Sequence, residues 1–323
     1  MNQPVRLLLI GAGKMGVAHA DVIRHVPDAQ LVAIASRSGT SAEKLAKAHG
    51  NIRFGDDWKQ LAAETSADAC IVAVSHLQNP VVTRDAIDMG LHVLSEKPVA
   101  FSSSAVLELA ELAESKGLVN LAAVNRRFYP GIQRARATAE LYGPLLGITC
   151  FAGDPVLNYR ASGKYDRFVY DNWMLFQTIH LIDVLRLLGG EVISVSGSRI
   201  KKYEDNVTAQ LTFENGIRCN YSAYSSARTK WGITLHCDGF DIELSPLEKA
   251  QINFSNGRSR QLYPTRADRR EKQKPGLAEQ LRLFIESICG TTVPAFPSST
   301  FRDHSNTLQL IEQLLGLSET PAA

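Results

Sequence analysis

The sequence predicts an α/β protein, with an N-terminal doubly wound parallel sheet and a C-terminal α+β domain built on a large open antiparallel sheet. Three observations carry this. Strand-like apolar runs alternate with helical segments through residue 124. A glycine cluster follows the first run directly. After residue 125 the period changes, and three Asn-Gly or Asp-Gly dipeptides separate alternating runs. The expected domains are residues 1–124 and 125–323.

Val5–Ile10 is apolar apart from Arg6, as a parallel strand buried on both faces requires. Lys14–His25 follows as a helix, then strand Leu31–Ala35, helix Ser41–His49 and a short strand near Ile52–Phe54. Ala69–Val74 is the next strong strand. Val81–Met89 is a helix that stops at Gly90, the usual C′ glycine. Strand His92–Leu94, helix Ala105–Ser115 and strand Asn120–Val124 complete a series of right-handed βαβ units.

In the second domain, helices are expected at Tyr129–Leu141 and Trp173–Leu188. Val207–Phe213 and Ile217–Tyr224 flank Asn215-Gly216; Ile233–Cys237 and Phe240–Leu244 flank Asp238-Gly239; Ala250–Phe254 and Ser259–Tyr263 flank Asn256-Gly257. Type I′ turns, with φ > 0 at both central residues, would join these six runs into an antiparallel meander. Helical stripes return at Leu277, Leu281, Phe284, Ile285 and Ile288, and at Leu308, Ile311, Leu314 and Leu315. Arg266–Lys274 reads as a solvated charged loop. With helices on one face of the sheet, the other needs water or a second subunit, so a homodimer or homotetramer is expected.

Composition excludes several classes. Over 323 residues, 35 Lys and Arg against 33 Asp and Glu leave +2, which offers no field for nucleic acid or an anionic membrane. Mean hydropathy is −0.09, and no apolar run approaches the roughly 20 residues of a membrane span. The N-terminus lacks the basic n-region of a signal peptide. Five scattered cysteines without a C-x-x-C point to a reduced, cytoplasmic compartment. No histidine–carboxylate cluster has metal-ligand spacing, so no metal is expected.

Gly11-Ala12-Gly13-Lys14-Met15-Gly16 is G-x-G-x-x-G between a buried strand and a helix, the context of a dinucleotide site. Gly11 allows the tight turn, Gly13 lets backbone approach a pyrophosphate, and Gly16 lets helix pack on strand. The second strand runs into Ser36-Arg37-Ser38, where an acid would hold the 2′-hydroxyl of NAD. A guanidinium and two hydroxyls instead suit a 2′-phosphate, so NADP is expected, with NAD left open. Ser75, His76, Glu96, Lys97 and Asn125, at or just past carboxyl ends of strands, join the expected cofactor site. His19, on the first helix, is expected to be structural.

Gly11–Gly16, then Val93-Leu94-Ser95-Glu96-Lys97-Pro98, then Asn125-Arg126-Arg127-Phe128, then His180-x-x-Asp183 occur in an order and spacing that resemble the Gfo/Idh/MocA family of NAD(P)-dependent oxidoreductases. The resemblance covers essentially the whole chain. It implies a Rossmann domain and a dehydrogenase acting on a secondary alcohol of a sugar or cyclitol. Lys97 would exchange the hydroxyl proton, His180 would hydrogen-bond the same oxygen or relay the proton, and the open sheet would form a subunit face. One departure stands out. The family pattern Asp-x-Gly-x-His here reads Phe176-Gln177-Thr178-Ile179-His180, so its acid is missing. Tyr165, Asp166, Asp171 and Asp183 are the candidates to compensate.

Arg160, Lys164 and Arg167 in Asn158–Tyr170, with Arg126 and Arg127, could form a pocket for an anionic sugar acid, sugar phosphate or nucleotide-linked sugar; a solvated charged loop reads equally well. Two other classes stay open: a non-catalytic NADP-binding regulator, and a glycoside-processing enzyme that oxidises, eliminates and re-reduces with a held cofactor.

Overall fold

The computed structural model describes residues 3–200, 206–225, 227, 230–265, 268, 275–290 and 299–320. The chain forms two units, Met1–Asn125 with Gln273–Asn306, and Arg126–Lys272 with Thr307–Ala323.

The first unit carries six strands: β1 (Val5–Ile10), β2 (Ala29–Ala35), β3 (Arg53–Gly55), β4 (Ala69–Val72), β5 (His92–Glu96) and β6 (Asn120–Ala123). All pairings are parallel, in the order β3-β2-β1-β4-β5-β6. Strand order reverses between β1 and β4, and in such sheets ligands bind beyond the carboxyl ends at that switch. Leu7–Leu9 and all of β4 are buried, so their unbroken apolar runs face helices on both sides. Helix Trp58–Glu64 is an addition to the elements expected from the sequence; its N-cap Asp57 accepts the N–H groups of Lys59 and Gln60.

A contiguous C-terminal domain over 125–323 does not hold. Helix Leu277–Ile288 sets Leu277, Leu281, Phe284 and Ile285 into one core with Leu7, Leu9, Ile34 and Ile71. Thr300 bridges Leu121 at the free edge of β6. The amphipathic stripe of that helix therefore completes the first unit, because burying those side chains there removes them from water.

The second unit holds β7 (Leu145–Gly153), β8 (Val192–Ile200), β9 (Val207–Phe213), β10 (Arg218–Tyr224), β11 (Gly232–Cys237), β12 (Phe240–Leu244), β13 (Ala250–Phe254), β14 (Ser259–Tyr263) and the two-residue β15 (Glu319–Thr320). Their order is β14-β13-β12-β11-β7-β10-β9-β8-β15. The three expected hairpins are present, but they do not form one meander. β7 lies between two of them, antiparallel to β11 and parallel to β10. The turns also differ from type I′. Gly216, Gly239 and Gly257 have φ near +80°, whereas Asn215, Asp238 and Asn256 are not among the residues with positive φ. In the first and third turns the glycine N–H returns to the carbonyl of Phe213 or Phe254, the pattern of a turn followed by a left-handed glycine.

Burial alternates along β9 to β12, leaving Thr208, Gln210, Asn220 and Glu243 outward. Helix Pro130–Tyr142 packs on β12–β14 and helix Ile179–Gly189 on β7. Short helices Val156–Ala161 and Arg167–Asp171, which the periodicity does not mark, precede a π-helical turn at Met174–Thr178. Such turns are rare and concentrate at functional sites. Most of the charged loop Arg266–Lys274 lies outside the described residues; Asp268 within it accepts two hydrogen bonds of 2.7 Å from Arg134.

Candidate active site

In the first unit the glycine cluster is set by close approach. Gly11 has φ +111°, and a Cβ there would stand 2.2 Å from the Ala73 carbonyl oxygen. A Cβ on Gly16 would stand 1.9 Å from the Gly11 oxygen. Gly13 is different: its Cβ would meet nothing within 4 Å. It caps helix Lys14–Ile23 without a side-chain hydrogen bond. That combination, open space beside a helix N-terminus, fits a pyrophosphate. Ala12, Lys14 and Met15 complete the loop.

At the end of β2, the Ser36 hydroxyl accepts the Ala42 N–H at 3.1 Å, and Ser38 and Ser41 share a hydrogen bond of 2.6 Å. Gly39, φ +61°, turns the chain into helix Thr40–Ala48. Arg37 is exposed beside these hydroxyls.

The end of β5 is pinned from two sides. Asn79 Nδ2 donates to the Glu96 and Pro98 carbonyls and to Ser95 Oγ, at 2.7, 3.1 and 3.0 Å. His19, 1% exposed, meets the Glu96 carboxylate at 2.9 Å. Both flanks of the half-buried Lys97 are thus fixed. Ser75 is exposed past β4, with His76 half-buried next to it. Asn125 is corrected: it is buried and donates to the Pro275 carbonyl at 2.9 Å, closing the returning chain onto the unit.

In the second unit a cavity of about 390 Å³ opens at the carboxyl end of β7. Tyr159, Tyr165, Trp173 and Trp231 supply its aromatic walls. Arg126, Asp154, Lys164, Lys230 and Glu248 supply charge. Tyr159 stacks on Trp173 at 5.4 Å, and the Arg126 guanidinium lies 4.5 Å from the Trp231 ring centre. Lys164 Nζ stands 5.1 Å from both tyrosine rings. Asp154 accepts hydrogen bonds from Trp231 Nε1 at 3.0 Å and Thr178 Oγ1 at 3.4 Å. Trp173 Nε1 is directed at the same carboxyl but falls outside hydrogen-bonding geometry. Burial pushes this carboxyl above its ordinary range; the Trp231 and Thr178 donors, the nearby Trp173 N–H and the Arg126 charge oppose that rise. A larger cleft of about 660 Å³ opens at the other end of β7, but its charged residues Arg136 and Glu140 pair with each other at 2.7 Å. The smaller cavity is the chemically equipped one.

The model of the GFO_IDH_MocA oxidoreductase family, with an NAD-binding Rossmann fold, matches residues 5–124. The trans-1,2-dihydrobenzene-1,2-diol dehydrogenase of Sus scrofa is 24% identical over 223 residues, 66% of this chain and 66% of that protein, just under two thirds of its length. Among solved structures, a dehydrogenase from Chromobacterium violaceum matches with TM-score 0.83 and 19% identity, covering 97% of this chain and 95% of that one. The WlbA dehydrogenase from Bordetella pertussis in complex with NADH and UDP-GlcNAcA matches with TM-score 0.74 and 20% identity, covering 97% and 95%. Over residues 5–124 the chain is thus similar to the Gfo/Idh/MocA oxidoreductases.

The residues of the motif that resembles the family's can now be placed. Phe176, where the resembled motif implies an acid, is fully buried and stands edge-on to Phe168 at 5.6 Å. Thr178, at the glycine position, hydrogen-bonds Asp154. Half-buried His180 stands in the first turn of Ile179–Gly189, three residues past cavity-lining Gln177. Arg127 and Asp183 are corrected as substrate residues. They form a buried two-point ion pair, both contacts 2.7 Å, and Thr307 donates to the same carboxylate. Arg160 is also corrected: it pairs with Asp171 at 2.9 Å outside the cavity, and Asp166 caps its own helix by accepting the Val169 N–H. Tyr165 and Arg126 line the cavity. Sequence reasoning missed Asp154, Trp173 and Trp231; a lone aspartate at a strand end was the available signal.

Among the described residues no helix is long and apolar enough to cross a membrane, and no group of three or more His, Cys, Asp or Glu side chains could hold a metal ion.

Proposed function

We propose that this oxidoreductase prefers NADP and moves a hydride to or from a secondary alcohol or ketone of a sugar-like substrate that carries an anionic group. The observation that carries this reading is the cavity at the end of β7. Its aromatic walls suit the apolar face of a sugar ring, Asp154 suits its hydroxyls, and Arg126, Lys164 and Lys230 suit an anion. The diol and UDP-sugar named for the relatives are of compatible class.

A nicotinamide cofactor, when bound, supplies the hydride chemistry. Gly11, Gly13 and Gly16 would hold its pyrophosphate, and Ser36, Arg37 and Ser38 its 2′-phosphate. Lys97 is assigned the proton exchange with the reacting hydroxyl, for which the pinned β5 end fixes its backbone. His180 is assigned a hydrogen bond to substrate. Glu96, held by His19, buttresses that segment. The outward polar face of the second unit's sheet is assigned to a homodimer or homotetramer, and the five unbridged cysteines suit a reducing cytoplasm.

Initial rates with D-glucose, myo-inositol, D-glucuronate and a UDP-linked sugar, each with NADP and NAD, test the reading. Faster turnover of an anionic member with NADP is expected. Tight cofactor binding without turnover of any member would return the regulator reading. Sedimentation of a 35.4 kDa particle at micromolar concentration would remove the oligomer.

A further inference from the structure

Position 176, where the resembled motif implies an acid, holds Phe176, yet the cavity does not lack a carboxylate. We propose that Asp154 is the specificity-determining residue of this cavity, accepting a hydrogen bond from a substrate hydroxyl other than the one that reacts. This rests on the proposed function, since it assumes that the cavity takes substrate.

Position supports it first. Asp154 directly follows β7, and its N–H donates to the Tyr224 carbonyl at 3.1 Å, so two adjoining strands fix its backbone. Its carboxylate is oriented by Trp231 Nε1 and Thr178 Oγ1, two donors from separate stretches of the chain. A carboxylate has about four acceptor sites, so two fixed donors leave capacity for a ligand hydroxyl. The cavity itself is large enough for a monosaccharide-sized group.

Position 176 supports it second. Phe176 is fully buried against Phe168, so the helix does not present an acid to the cavity from there. The side chain at 178, where the family has glycine, reaches Asp154 instead. The two departures belong together: the helix loses its own carboxylate and gains a hydroxyl that orients one from the strand.

The chemistry predicts a particular pH response. A hydroxyl donates most strongly to Asp154 while the carboxyl is ionised, because a charged acceptor makes the stronger bond. The Arg126 charge favours that ionised form; Lys164, Lys230, Glu248, Tyr159 and Tyr165 line the same cavity. Substrate affinity therefore falls as pH drops through the elevated range in which this carboxyl titrates.

The test uses the NADP-loaded protein with D-glucuronate and D-glucose as probes, read by tryptophan fluorescence and by kcat/KM from pH 4.5 to 8. Asp154→Asn, which keeps the shape, should weaken probe binding about tenfold to a hundredfold, the effect of a hydrogen bond to a charged group. NADP affinity should not change, and the acid limb of the profile should vanish. Trp231→Phe keeps an aromatic ring but removes a donor that stabilises the ionised carboxyl, so its acid limb should move to higher pH. Probe binding and pH profile unchanged in Asp154→Asn would overturn the proposal and leave the proposed function standing. Failure of both probes to bind wild type would overturn the substrate assignment of the cavity, and this proposal with it.

Discussion

In the first unit the candidate ligand site is made of main chain. Gly11 and Gly16 have no room for a Cβ, Gly13 has open space, and a helix N-terminus stands behind them. In the second unit the cavity is made of side chains that lie far apart in sequence. Asp154 and Trp231, 77 residues apart, meet through one hydrogen bond. Arg126 comes from a 3₁₀ turn, Tyr159 from a short helix and Trp173 from the start of a π turn. A main-chain site tolerates almost any side chain provided its glycines stay. A side-chain site can exchange its members as long as their charges and donors still converge.

Mutations can break this contrast or sharpen it. The largest expected effect is at Lys97. Lys97→Met should lower single-turnover hydride transfer by roughly 10²–10⁴, the usual contribution of general acid–base catalysis, with cofactor affinity kept. An unimpaired single-turnover rate would refute the assignment. Next is the buried pair. Arg127→Met leaves Asp183 without its guanidinium and should cost about 3–5 kcal/mol of stability in denaturant unfolding. A raised KM at unchanged stability would instead restore Arg127 to the substrate site. Arg37→Ala should weaken NADP(H) binding by about 1.5–3 kcal/mol and spare NAD(H). Calorimetric titration with both cofactors decides it, equal losses counting against a 2′-phosphate site. The smallest change in stability is expected at Gly13→Ala, within about 0.5 kcal/mol, because its Cβ meets nothing. Cofactor affinity should nonetheless fall. Gly16→Ala, forced against the Gly11 carbonyl, should destabilise by about 1–3 kcal/mol and serves as the contrast.

The first unit was legible because buried parallel strands are uniformly apolar and the glycine spacing has one geometric use. The second was legible in its hairpins but not in their order. Nothing local in Leu145–Gly153 says that it will insert between neighbouring hairpins by pairing parallel with β10. The basic residues show the same limit. Arg126 and Arg127 are neighbours, yet one stacks on Trp231 in the cavity while the other is buried against Asp183. Spacing gives their charge; only the packed helix Ile179–Gly189 says which of them meets an acid. Phe176 is recognisable as a departure from residue type alone, but its counterpart in that departure, Asp154, lies 22 positions earlier, out of reach of any local pattern.

The discontinuity of the first unit bears on how the protein is made. Asn125 and its hydrogen-bond partner Pro275 are 150 residues apart. At a synthesis rate of about 5–20 residues per second, roughly 8–30 s pass before a ribosome delivers the helix that closes this core. Through that interval the sheet has all six strands, yet the apolar surface that will receive Leu277, Leu281, Phe284 and Ile285 faces water. Transiently exposed apolar surface of this kind is aggregation-prone, and its exposure here is confined to a definite stage of translation.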